Sequence, residues 1–248
     1  MFPILFHIGP LPVRSYAVFI ALAFVVAGVI RRSEAKRLAY DKEPGHQWVG
    51  VGALLGAILG AKLGMVFFEP LDGFAETLQR MAQLDFAGKT VVGGLIGGFI
   101  GVEITKNRVG ITHSTGDAWA LALPAAQAVG RLGCYFEGCC YGSESENPWS
   151  VVMHGASRHP AQLYEAGLLL VLLAILSVWR SRPMPEGHLF RRYLVGYAVI
   201  RFTVEFARGD PSVDVGPFSL VQIVCMMAAV GFVVSMWRQS RGVGRVGG

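Results

Sequence analysis

The 248-residue chain is 53% hydrophobic and only 16% charged, with a mean hydropathy of +0.48. A soluble domain carries roughly 25% charged residues, so the composition excludes an ordinary water-soluble fold and points to a chain whose solvent is mostly lipid. The net charge of +5 comes from basic residues at the ends of apolar runs, and that placement excludes a nucleic-acid-binding role.

The N-terminus, MFPILFHIGPLPVRSY, has neither the basic start nor the small-residue cleavage site of a signal peptide, so the first apolar run is expected to stay in the mature protein. Seven stretches approach the length of about 20 apolar residues that a span requires: 15–30, 47–68, 90–105, 115–136, 160–179, 189–207 and 218–237. The first, fifth and seventh read as clean. The second carries Lys62, the fourth Arg131, and the sixth Arg201 and Glu205. With the N-terminus outside, 14 Lys/Arg residues fall on the cytoplasmic side, five on the outer side and three within spans, which accounts for all 22. Positive charge concentrates on the cytoplasmic side of membrane proteins. The expected fold is therefore an all-α integral membrane protein with seven transmembrane helices, N-terminus outside and C-terminus cytoplasmic. It forms a single domain, 1–248, with a small outer-face loop region.

Glycines recur every fourth residue at Gly52, Gly56, Gly60 and Gly64, and again at Gly93, Gly97 and Gly101. That spacing suits close helix–helix packing in lipid. Gly93 and Gly94 also stand at the start of a span, where backbone N–H groups can bind an anion. Phe74, Leu78 and Met81 share one helical face, the pattern of a short helix lying in the outer interface.

Ionisable residues inside a membrane are expensive and imply function unless they pair with one another. Arg201 and Glu205 stand four apart on one helical face, which casts Glu205 as the partner of an arginine. Arg131 has no carboxylate four residues away on its own helix, so its counter-charge must come from elsewhere. Two or three cations beside an apolar wall suit an anionic lipid headgroup.

The segment GRLGCYFEGCCYG, 130–142, resembles the signature of the bacterial prolipoprotein diacylglyceryl transferases. IGPLPVRSYA (8–17), GGLIGG (93–98), RHPAQLYE (158–165) and GYAVIRFTVEFARGDP (196–211) agree with the same family in the same order. The resemblance implies an enzyme of the bacterial plasma (inner) membrane, with its active site toward the outer face. It implies transfer of the diacylglyceryl group of phosphatidylglycerol to the lipobox cysteine thiol of a prolipoprotein, releasing glycerol phosphate, with no cofactor and no catalytic metal. By the same resemblance Tyr16, Arg131 and Arg201 are catalytic, Arg131, Arg201 and Gly142 bind substrate, and Glu205, Arg158 and Gln162 support that binding; Gly93 and Gly94, as a helix start, and Cys134, inside the motif, complete the expected substrate-binding set. The expected partners are phosphatidylglycerol, the lipobox peptide and the bilayer.

Two positions depart from the family pattern. Val92 stands where a histidine usually precedes Gly-Gly-Leu, and Cys134 stands where asparagine usually follows Gly-Arg-x-Gly. Valine neither takes a proton nor donates a hydrogen bond, so a thiol-activating base must come from another group. Glu137, His154 and His159 are the outer-side candidates. A different thiol or hydroxyl acceptor, or a phospholipid-binding protein without chemistry, stays open as an alternative. Cys134, Cys139 and Cys140 leave three readings open: a Cys134–Cys139 bridge, a redox or acyl-carrying thiol, or a metal site completed by His154 or His159. Cys225 reads as a packing residue.

Overall fold

The computed structural model describes residues 2–9, 11–68, 91–209 and 214–243. Among the described residues, seven long helices stand where the seven apolar runs lie. They are α1 (Ser15–Arg37), α2 (His46–Phe68), α3 (Val91–Val109), α4 (Ala122–Glu137), α5 (Ala161–Trp179), α6 (His188–Glu205) and α7 (Leu220–Val243). Three antiparallel hairpins punctuate them: β1 (Ile4–Ile8) with β2 (Leu11–Arg14), β3 (Val151–Met153) with β4 (Ala156–Arg158), and β5 (Asp214–Val215) with β6 (Phe218–Ser219). The expected interfacial helix around Phe74–Met81 lies outside the described residues.

By length and composition, α1, α5 and residues 220–239 of α7 can each cross a membrane. Their outward faces carry large apolar side chains in the open, among them Val29, Val178 and Val230 at 63–65% exposure. In water, contiguous apolar surface of this kind would drive association. It fits a protein whose surroundings are hydrocarbon.

The fourth helix begins later than its apolar run, and the reason is local. Asp117 is drawn into a 3-10 turn over Gly116–Trp119, where its carboxylate accepts the backbone N–H groups of Gly187 and Phe190 at 2.8 and 2.9 Å. Those are donors that the start of α6 cannot satisfy within the helix. Asp117 thus serves α6 at the cost of its own helix.

The chain packs as two compact units, residues 35–113 and the remainder. In the first, α2 and α3 meet along the glycine seam. A Cβ on Gly56 would stand 2.2 Å from the Gly97 carbonyl oxygen, and one on Gly60 would stand 2.2 Å from that of Gly93. A Cβ on Gly52 would lie 2.7 Å from the Gly101 carbonyl oxygen. Here the four-residue spacing is a packing device, as the sequence suggests, because no side chain fits between the backbones. In the larger unit, Leu169, Leu172 and Leu176 of α5 pack with Ala128 of α4 and with Tyr193, Ile200 and Val204 of α6. That core holds three helices with their polar residues turned toward one another.

Candidate active site

The site grows from the α4–α5–α6 core. Glu165, in the second turn of α5, has a side chain only 2% exposed. One of its oxygens meets Arg131 Nη2 of α4 at 2.9 Å, and the other lies 3.6 Å from Arg201 Nη1 of α6. Arg201 Nη2 donates to Glu205 at 3.0 Å on its own helix, the pairing that the four-residue spacing predicts. Glu205 also accepts the Ser219 hydroxyl at 3.2 Å, and Arg208 Nε stands 3.9 Å from it. Among the described residues, Arg201 Nη1 makes no hydrogen bond although it is buried. An unmatched buried guanidinium N–H is costly to leave alone. The acceptor it faces is Glu165, at 3.6 Å, beyond hydrogen-bond length.

These contacts correct the view of the site as cations against an apolar wall. The counter-charge that Arg131 requires is Glu165, and the fifth apolar run is not clean, since it carries this carboxylate near its start. Two arginines and two glutamates form one buried network. Such a network costs desolvation, and removing one member leaves the others uncompensated.

Of the remaining expected site residues, Tyr16, Cys134, Gly142, Arg158 and Gln162 lie in the larger unit. Tyr16, in the first turn of α1, interacts electrostatically with Arg131 and with Cys134, Cys139 and Cys140. Gln162, one turn before Glu165 and almost fully buried, donates to the Cys139 carbonyl at 2.6 Å, while its own Oε1 has no partner among the described residues. Gly142 donates its N–H to the His159 carbonyl at 2.9 Å. A Cβ there would stand 2.4–2.6 Å from Ala207 O, His159 Cβ and His159 O, so this position holds two backbone segments together. Arg158 pairs with Glu144 at 3.0 Å and lies over the Tyr141 ring, with its Nε unmatched among the described residues. Gly93 and Gly94 belong to the smaller unit, in the first turn of α3 against α2, and the Val92 side chain lies outside the described residues.

Each of the three alternative proton acceptors is engaged. Glu137 pairs with Arg14 and faces the start of α1, 3.4 Å from Ser15 Oγ and from Tyr16 N. His154 Nε2 is bonded to the Gly138 carbonyl at 2.8 Å, and His159 Nδ1 to the Tyr164 hydroxyl at 3.0 Å. The cysteines are free thiols in the structure. Cys134, Cys139 and Cys140 bring their sulfurs within 4.8 Å of one another, and among the described residues neither histidine joins them.

Comparison with known proteins settles the family. The family model described as prolipoprotein diacylglyceryl transferase matches residues 3–238. The chain belongs to that family. It is 34% identical over 246 residues to the phosphatidylglycerol–prolipoprotein diacylglyceryl transferase of Aromatoleum aromaticum, covering 92% of each chain. It is 32% identical to the enzyme of that name from Pseudoalteromonas translucida, over 92% of this chain and 89% of the relative. With the one from Geobacter sulfurreducens it shares 30% over 98% and 97%.

Proposed function

We propose that this protein transfers the diacylglyceryl group of phosphatidylglycerol to the lipobox cysteine of prolipoproteins, in the bacterial inner membrane. The observation that carries the reading is the Arg131–Glu165–Arg201 arrangement. Two guanidiniums from separate helices converge on one buried carboxylate, and Arg201 Nη1, 3.6 Å from it, makes no hydrogen bond among the described residues. In this reading all seven helices span the bilayer, N-terminus outside and C-terminus cytoplasmic, and residues 1–248 act as a single domain. The Lys/Arg distribution supports that orientation, and the family match over residues 3–238 supports the single domain.

The chemistry follows from charge. The acceptor thiol loses its proton to solvent, and its sulfur attacks the glyceryl carbon that bears the phosphodiester. A C–S bond forms, the C–O bond breaks, and glycerol phosphate leaves with the electron pair. A phosphodiester thereby becomes a monoester, which carries more negative charge. Arg131 and Arg201 stabilise that growing charge, and each planar guanidinium can hold two phosphate oxygens at once. Glu165 and Glu205 position them. Tyr16, Cys134, Gly142, Arg158 and Gln162 line the approach.

The test is transfer of labelled diacylglycerol from phosphatidylglycerol to a lipobox peptide by the purified full-length protein. Incorporation into the peptide supports the reading. Incorporation only into another thiol or hydroxyl compound would assign a different acceptor, and no incorporation at all would assign a phospholipid-binding protein without chemistry, the reading that Val92 in place of the family histidine favours.

A further inference from the structure

Beside the arginine network lies a cluster of three thiols that take no part in the bond-making and bond-breaking of diacylglyceryl transfer. Cys134 occupies the last turn of α4, which ends at Gly138 in the left-handed conformation, φ +80°. Both Gly138 N–H and Cys139 N–H donate to the Cys134 carbonyl, at 3.0 and 3.1 Å. This closure folds the chain back so that Cys139 and Cys140 face the helix end. Cys140 itself is left-handed at φ +59°, a conformation that costs a residue with a Cβ about 1 kcal/mol or more and that persists only where the surroundings impose it. Gln162 anchors the turn from α5 through the Cys139 carbonyl at 2.6 Å. The result is three sulfurs within 4.8 Å of one another on a hydrogen-bonded turn.

We infer that Cys134, Cys139 and Cys140 form a binding site for a soft, thiophilic d10 metal ion, Zn2+ or Cu+. A Zn–S bond is about 2.3 Å, so sulfurs sharing one ion sit close to the separation already present. Thiolates select these ions over hard cations such as Mg2+ or Ca2+. With no histidine or carboxylate joining the three sulfurs among the described residues, Zn2+ would keep one open position, and Cu+ would be satisfied by three sulfurs. Three thiolates around either ion leave the complex anionic, and Arg131 and Arg208 supply the compensating charge. Both guanidiniums act on Cys140. Binding releases the thiol protons to solvent. The site shares Cys134 and Arg131 with the proposed transferase site, but the inference does not rest on transfer activity.

The experiment uses the full-length protein in detergent, reduced and then freed of metal by a chelator. Equilibrium dialysis against Zn2+, and separately against Cu+ under anaerobic conditions, is followed by elemental analysis. The expected result is one ion per chain with at least one of the two metals, abolished in the C134S/C139S/C140S triple variant. Alkylation of the unmutated protein provides a readout that needs no variant. The three thiols should be protected by the ion, while Cys225 reacts as before, and protection should vanish when chelator is added. Failure of the reduced protein to bind either ion overturns the inference. So does unchanged binding in the triple variant, or a Cys134–Cys139 disulfide recovered from protein alkylated directly in cells.

Discussion

Arg131 Nη2 of α4 meets Glu165 of α5 at 2.9 Å, in a place where the carboxylate side chain is 2% exposed. The same carboxylate reaches toward Arg201 of α6, so one acidic group organises two cations from two helices. Replacing it with glutamine keeps the size and removes the charge. Breaking a buried ionic network by removing one partner costs about 3–5 kcal/mol. Glu165→Gln should therefore lower the thermal unfolding temperature of the detergent-solubilised protein and reduce transfer, whereas Glu144→Gln, whose carboxylate is exposed, should leave both near wild type. Equal stability of the two variants would remove Glu165 from its organising role.

The glycine seam makes a separate prediction within the α2–α3 unit. Gly97→Ala places a Cβ 2.2 Å from the Gly56 carbonyl oxygen, so α2 and α3 must separate and the yield of monodisperse protein should fall sharply. Gly94→Ala meets nothing nearer than 3.6 Å and should be tolerated. Size-exclusion chromatography of the two variants makes the comparison.

Gly142 is expected from the family resemblance to bind substrate, yet its surroundings are backbone and the His159 side chain. Gly142→Ala should lose folded protein along with activity, because the 138–160 loop cannot close around a Cβ. Limited proteolysis of that loop checks this. A well-folded variant with selectively raised KM for phosphatidylglycerol would instead show a direct binding role.

Orientation is open to direct measurement. A reporter fused at the C-terminus should read cytoplasmic, as the distribution of Lys and Arg at the span ends requires. A periplasmic reading would reverse the topology and move the arginine network's access to the opposite leaflet.

Much of the helical layout was legible because seven apolar runs of the right length are hard to read otherwise, and the seam glycines announced their packing by spacing alone. The Arg201–Glu205 pair was legible for the same reason, since both lie on one helix. Glu165 was not. It lies near the start of an otherwise apolar run, where a carboxylate passes for a residue at the membrane edge, and its partners stand on other helices. The usable signal was the isolation of Arg131, which demanded a carboxylate from another helix. The sulfur cluster was legible only as proximity in sequence. Its exclusion of His154 and His159 among the described residues depends on the Gly138 turn and the β3–β4 hairpin, which periodicity does not encode.

The most direct test of the central claim compares Arg131→Lys and Arg201→Lys in the labelled-diacylglycerol transfer assay, normalised to folded protein. Lysine keeps the charge but loses the planar fork. Loss of one donor to a developing anion typically costs about 3–4 kcal/mol of transition-state stabilisation. Both variants should therefore fold, insert and lose most of their transfer activity. Near wild-type rates in both would show that the arginines serve only to pair with Glu165 and Glu205, and would contradict the account.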